Sequence, residues 1–284
     1  MRPFRLDQLP RFSPWPSALL RQNPEIHPKD PQEIQREFGV EKWGRLLERS
    51  EETGLASLST IDSWYYHGVR DMPGVVAGRL TLMTAAEAKS TYLSLLEDLL
   101  SDVDCGKLVE LGCGYGSILL DLVLRGKLRV QTAWGGEYTE SGVALAQRIA
   151  LAEGLDVGIG RFDFDSPGMA GIPVSEGSGI LTSFAAVYAR DARRTVRSIL
   201  SSSPAWVLHI EPCLEHSVPD SILGLMRKRY AQVNDYNVGL LGELLSFQDE
   251  GRLEILKVRP DMFGTNCLLP GSAILWRPVR RGDA

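Results

Sequence analysis

The sequence predicts an α/β protein: a doubly wound, mostly parallel sheet of seven strands, the last antiparallel, preceded by an N-terminal helical or lid-like extension. Three observations carry that expectation. From about Gly106 onward, short apolar runs alternate with longer runs of helical periodicity. The first apolar run ends in "ELGCGYGS", glycine at alternate positions, which is the composition of a tight strand-to-helix turn. The last two apolar runs follow one another with no clear helix between them, so the final strand is expected to turn back antiparallel.

The elements follow in order. Residues 1–84 are read as an arm and helical lid, and 85–284 as the core. The first thirty or so residues carry Pro3, Pro10, Pro14, Pro16, Pro24, Pro28 and Pro31, which predicts an extended arm. Helical patterns follow around Pro31–Ser50 and Ala85–Ser101. Between them "STIDSWYYHGVRDMPG" reads as an ordered aromatic loop. "KLVELG" predicts a buried strand and "SILLDLVLRG" a helix stopping near Gly126. "VQTAWGGEYT" is the second strand, and "SGVALAQRIALAEG" the second helix, with Thr139 or Ser141 as its cap. "VGIGRFDF" and "SGILTSFAAVYA" are the third and fourth strands; "RDARRTVRSILSS" is the helix leading to the fifth, "AWVLHIEP". A helical pattern runs from after Pro219 to about Phe247, and "RLEILKVRP" and "GSAILWRPV" close the chain as strands.

The composition bounds the function. Of 284 residues, 44% are hydrophobic and 24% charged, enough apolar surface for a full core. The net charge of −5 lacks the basic balance of a nucleic-acid binder. The clusters at Ala189–Arg194 and Arg227–Tyr230 read as solvated helix faces, so no nucleic-acid partner is expected. Cys105, Cys113, Cys213 and Cys267 are scattered and form no CxxC, which suggests a reduced, cytoplasmic protein. No apolar run has signal-peptide or membrane-spanning length, so no membrane association is expected; a homodimer formed through the N-terminal segment is an open alternative.

The glycine turn raises the question of its ligand. Gly112, Gly114 and Gly116 let backbone approach a bound molecule at the carboxyl end of a strand, where open parallel sheets bind ligands. A dinucleotide fingerprint would place its third glycine where Ser117 stands, which does not by itself exclude that motif. Glu110 inside the strand argues against it: a carboxylate repels a pyrophosphate and attracts the ammonium of an amino-acid-like ligand. The pattern E-x-G-x-G-x-G, from about Ala85 to the C-terminus, resembles the class I S-adenosylmethionine-dependent methyltransferases. The resemblance implies S-adenosyl-L-methionine as cofactor. It also implies that Glu137, near the second strand's end, accepts from the ribose hydroxyls. Asp163, near the third strand, would read the adenine amine, and Phe164 would lie against the ring. One departure is that the fourth strand lacks the acid many members carry at its start. Read singly, Glu137 and Asp163 are surface acids near turns; in series with the glycine motif they mark a nucleoside site.

The acceptor side is less defined. His209 and Glu211 share one face of the fifth strand, and Glu215 and His216 follow. Glu211, at a strand end, is the leading catalytic candidate, with Glu215 and His216 beside it; His209 reads better as a core histidine. Metal-ligand spacing is lacking, so no metal is expected. Tyr65, Tyr66 and His67, with Tyr230, Asn234 and Tyr236, are candidate substrate-binding residues; each group reads equally as packing or as a polar helix end. Neither the N-P-P-Y-type signature nor a double-glutamate loop follows the fourth strand. The expectation is therefore methyl transfer to a small polar metabolite, leaning to the nitrogen of an amine or guanidino group. O-methylation with a histidine base is the alternative, and an NAD(P)-dependent oxidoreductase or a non-enzymatic binding domain a more distant one.

Overall fold

The computed structural model describes residues 1–21, 25–166, 168–169, 171–216 and 220–279. The chain begins with a short strand β1 (Arg2–Pro3) and helix α1 (Trp15–Leu19). Helix α2 (Pro31–Ile34) starts on Asp30, whose side chain accepts from Gln32 N and Glu33 N. It runs through a π-helical stretch, Gln35–Lys42, into α3 (Trp43–Thr53). Helix α4 (Leu58–Tyr65) stands where a loop was expected: Ser57 caps it, and Leu58 and Ile61 face the core. A hairpin follows, β2 (Met72–Val76) and β3 (Arg79–Met83), then α5 (Ala85–Leu100), opened by a Thr84/Glu87 capping box.

The alternating part is β4 (Lys107–Leu111), α6 (Ser117–Arg125), β5 (Thr132–Glu137), α7 (Glu140–Ala152, capped by Thr139), β6 (Val157–Arg161) and β7 (Gly179–Ser183). It continues with α8 (Ala192–Ser201), β8 (Trp206–Pro212), α9 (Ile222–Val233), α10 (Leu240–Asp249), β9 (Leu253–Gly264) and β10 (Gly271–Pro278).

These strands make one ten-stranded sheet in the order β1-β3-β2-β9-β10-β8-β7-β4-β5-β6, rather than the seven expected. The strands β6, β5, β4, β7 and β8 are mutually parallel, and β10 runs antiparallel to β8. The added strands come from the N-terminal 84 residues: β2 pairs with β9 through Val75↔Gly264 and Val76↔Phe263. Their hairpin turns on Ala77 (φ 47°) and Gly78 (φ 75°), the two positive φ values that a two-residue turn requires. An alanine is an unusual carrier of that geometry, so the turn does not announce itself in the sequence.

Alternation along the strands divides the core between the two faces of the sheet. Leu108 faces a layer with Leu93, Leu96 and Leu119 from α5 and α6, whereas Val109 and Leu111 face Val196, Ile199, Leu244 and Phe247 from α8 and α10. From β4 the chain winds outward through β5 to β6, then returns to the other side of β4 with β7 and β8. The crevice at the carboxyl ends of β4 and β7 is the topological switch point, where such sheets bind ligands. Among the described residues no helix is long and apolar enough to cross a membrane.

Candidate cofactor and acceptor site

The turn after β4 is built against the end of β5. Gly112 N and Cys113 N both donate to Gly136 O, at 2.7 and 2.9 Å. Gly112 has φ 77°, and a Cβ there would lie 2.3 Å from Ala185 Cβ, so only glycine lets the turn pass under the loop following β7. Gly114 lies against an indole: a Cβ on it would meet Trp43 Cζ2 at 3.0 Å. Gly116 is the N-cap of α6, and a Cβ on it would meet Leu120 and Ala146 rather than the crevice.

Above this turn lies a cavity of ≈ 720 Å³. Glu110, Gly112, Gly114, Glu137, Asp163 and Phe164 all line it. Glu110 is 2% exposed and accepts from Leu119 N at 3.1 Å; burial pushes its carboxyl up to about 8. Glu137 accepts from Thr139 N (2.9 Å) and Thr139 Oγ1 (2.7 Å) on one oxygen and from Gly114 N (3.0 Å) on the other. It thus joins the second strand end to the glycine turn. Asp163 accepts from Asp165 N at 2.8 Å and Ser166 Oγ at 3.1 Å, and Phe164 packs edge-on against Phe162 at 4.9 Å.

Further lining comes from the N-terminal segment. Phe38, Trp43, Tyr65 and Tyr66 line the cavity together with Tyr115, Tyr188 and Tyr236. Trp43 packs 5.0 Å from Tyr115 and 5.6 Å from Tyr65, and Phe38 packs edge-on to Tyr188 at 5.2 Å. The π-helical stretch aims these rings: Trp43 N donates to Phe38 O, a five-residue step that rotates both side chains off the ordinary helical stripe. The same stretch brings Lys29 Nζ to Glu37 Oε2 at 2.5 Å and Lys42 Nζ to Glu37 Oε1 at 2.8 Å.

The structure brings Tyr65, Tyr66 and Tyr236 to the cavity but not the expected catalytic group. Glu211 is 1% exposed; one oxygen accepts from Ala185 N and Ala186 N at 3.0 Å each, the other from Val187 N at 3.3 Å. Burial raises its carboxyl to about 7 against the pull of those donors. It lies behind the loop whose outer face lines the cavity. Glu215 accepts from Gly242 N at 3.1 Å, and His216 Nδ1 pairs with Ser272 Oγ at 2.8 Å; neither lines the cavity. The strand-end position of Glu211 suggested an exposed acid, but the adjacent loop, through Ser183, Phe184 and Ala185, lines the cavity in its place.

His209 is fully buried, with Nδ1 on Thr182 Oγ1 at 2.8 Å, and burial lowers its pKa to about 3. His67 is exposed beyond the end of α4. Tyr230 packs edge-on to Trp15 at 4.7 Å, and Asn234 Nδ2 donates to Tyr230 O at 2.9 Å; both are buried off the cavity. The sequence reading missed Lys29, Phe38, Lys42, Trp43, Tyr188 and Arg190. The one available signal was the pair Phe38–Trp43, whose spacing fits no regular helical face. Among the described residues no group of three or more His, Cys, Asp or Glu is arranged to hold a metal ion, and all four cysteines are buried and free.

No protein-family model and no curated protein matches the sequence. Solved structures do match in fold. The [4+2]-cyclase SpnF superposes with a TM-score of 0.53 at 15% identity, over 89% of this chain and 98% of that one. A geranyl diphosphate methyltransferase, solved in complex with GPP and sinefungin, superposes with a TM-score of 0.50 at 14% identity, over 69% of this chain and 79% of that one. The chain therefore has the class I S-adenosylmethionine-dependent methyltransferase fold. That fold serves both a methyltransferase and a cyclase in these two structures, so the reaction has to be argued from the site.

Proposed function

We propose that the chain is an S-adenosylmethionine-dependent methyltransferase acting on a small polar molecule. The observation that carries this reading is the convergence of Glu137 and Asp163, on successive strand ends, with the Gly112–Gly114 turn around one cavity. Glu137 would accept from the two ribose hydroxyls, Asp163 from the adenine amine, and Phe164 would lie against the ring. Glu110 would face the ammonium of the amino-acid end. Each is a donor group meeting a carboxylate, the stronger kind of hydrogen bond. When bound, the cofactor would supply an electrophilic methyl group on a sulfonium, a donor whose chemistry needs no metal.

The work left to the protein is alignment and exclusion of water. Phe38, Trp43, Tyr65 and Tyr66 would act as a lid over the crevice, so the covering part is proposed to be the helices between Pro31 and Tyr65, while β1 to β3 of the same segment extend the sheet. The lean toward a carboxylate-held amine loses its basis, because Glu211 and Glu215 do not line the cavity. The histidine-assisted hydroxyl loses its base in the same way, since among the described residues no histidine lines it. Burial raises the phenols of Tyr65, Tyr66, Tyr188 and Tyr236, so none of them holds a proton-accepting charge at neutral pH. The lining favours an acceptor whose attacking atom carries no proton at neutral pH.

The test is incubation with S-adenosylmethionine and a panel of small oxygen and nitrogen acceptors, read by mass spectrometry. The expected result is a product that has gained one methyl group, heavier by CH3 than the unprotonated acceptor, or by CH2 where the acceptor gives up a proton, with S-adenosylhomocysteine formed in equal amount. Rearrangement of an acceptor with no cofactor consumed would replace this reading with a cyclase-type one.

A further inference from the structure

Glu110, Glu137, Asp163 and Asp165 line the cavity by the glycine turn and the ends of β4 to β6, with Arg190 beside Asp165, whereas the two lining lysines, Lys29 and Lys42, come from the N-terminal segment. Arg190 is matched by Asp165, which accepts from Arg190 N at 3.1 Å and has Oδ2 3.8 Å from Arg190 Nε. The lysines are not matched one for one: both ammonium groups rest on the single carboxylate of Glu37, leaving one positive charge in surplus. Lys29 is only 8% exposed in its side chain, and Glu37 20%. Lys29 Nζ stands 5.9 Å from the centre of the Tyr236 ring, and Lys42 Nζ 4.1 Å from that of Phe38. Two other acids stand near, in an adjoining hollow: Asp30 accepts from Gln32 N and Glu33 N, and Asp235 from Lys29 N at 3.4 Å. Neither lines the main cavity.

With Lys29 8% and Lys42 34% exposed in their side chains, the positive surplus beside the aromatic walls is partly shut off from water, and an anion meeting it would offset that loss. Each ammonium has three donors, and Glu37 takes one from each. A cationic ligand at this wall would meet two like charges at short range.

We propose that the acceptor is a small organic anion, and that its oxyanion, a carboxylate or a phosphate, is held by Lys29 and Lys42 against the wall formed by Phe38, Tyr188 and Tyr236. The proposal rests on the methyltransferase reading for the word acceptor; the anion site itself does not depend on the cofactor.

The test is calorimetric titration with four single-ring probes, benzoate, phenyl phosphate, benzamide and benzylamine, with and without S-adenosylhomocysteine. At least one of the two anions is expected to bind about tenfold or more tighter than both the neutral amide and the cation. Which anion binds better identifies the group. Lys29→Gln is expected to remove that preference while changing S-adenosylhomocysteine affinity by less than roughly twofold, the two sites being separate. Lys42→Gln, at a more exposed position, gives the same reading if Lys29→Gln fails to fold. Benzylamine binding as well as or better than the anions overturns the proposal, as does failure of both anions to bind or a preference that survives both substitutions. Anion binding without S-adenosylhomocysteine binding would instead remove the methyltransferase reading and leave the anion site standing.

Discussion

Replacing Glu211 with alanine will loosen the loop after β7 rather than remove a catalytic group. Its carboxylate accepts from three consecutive backbone N–H groups, those of Ala185, Ala186 and Val187. Each buried donor left without a partner costs about 1–3 kcal/mol, so the gross loss is about 6 kcal/mol. Part is recovered because the carboxylate is itself uncomfortable there: its pKa stands at about 7 instead of 4.5, which corresponds to about 3 kcal/mol. The net destabilisation is then about 3 kcal/mol. Glu211→Gln keeps a carbonyl for Ala185 and Ala186 and loses the acceptor of Val187, and should cost about 1–2 kcal/mol.

Urea unfolding across pH checks the reasoning. An acid raised by folding holds a proton in the native chain that the unfolded chain releases between pH 4.5 and about 7. Its contribution is fully present below pH 4.5 and is lost as pH rises through 7. Wild type should therefore lose up to about 3 kcal/mol relative to Glu211→Gln over that range, so that the variant compares best with wild type at the high end of it. An alanine variant that unfolds like wild type yet has lost turnover would refute this account, since Glu211 would then have to reach the substrate.

Other predictions follow from the same geometry. Gly112→Ala, with φ 77° and a Cβ 2.3 Å from Ala185 Cβ, should abolish S-adenosylhomocysteine binding. Gly116→Ala meets the flexible end of Leu120 and should lower the melting temperature but retain binding, both read by a thermal shift with and without ligand. The Glu110 carboxyl, held at about 8 in the free protein, must ionise to meet a ligand ammonium. S-adenosylhomocysteine affinity measured by fluorescence should rise about tenfold per pH unit from 6 toward 8. A flat profile would place the ammonium elsewhere. Trp43 lies on Gly114, so Trp43→Leu should weaken that ligand about tenfold and remove most of the change in tryptophan emission on binding.

The parts of the site that were legible in the sequence are those where local chemistry dictates residue type. The turn from Gly112 to Gly116 needs positive φ at alternate residues, and that leaves a mark in any sequence that makes it. Glu137 and Asp163 follow strands readable from their apolar runs, so their place at the strand ends could be inferred. What could not be read depended on partners far along the chain. Glu211 looks like a site acid until the donors from Ala185 to Val187 are seen to occupy it. Lys29, Glu37 and Lys42 are an ordinary scatter of charge until the π-helical stretch brings them together. The β2–β3 hairpin hid behind Ala77, and α4 behind a run of aromatic residues that suggested a loop.

The proposed function requires that Glu137 and the glycine turn hold a nucleoside of the S-adenosyl type. Calorimetric titration of wild type and Glu137→Gln with S-adenosylhomocysteine, beside NADH, tests it most directly. A charged hydrogen bond contributes about 1.5–3 kcal/mol, so the account predicts wild-type binding of S-adenosylhomocysteine, a loss of about tenfold or more in the variant, and no binding of NADH. Binding of NADH, or S-adenosylhomocysteine affinity unchanged by the substitution, would contradict it.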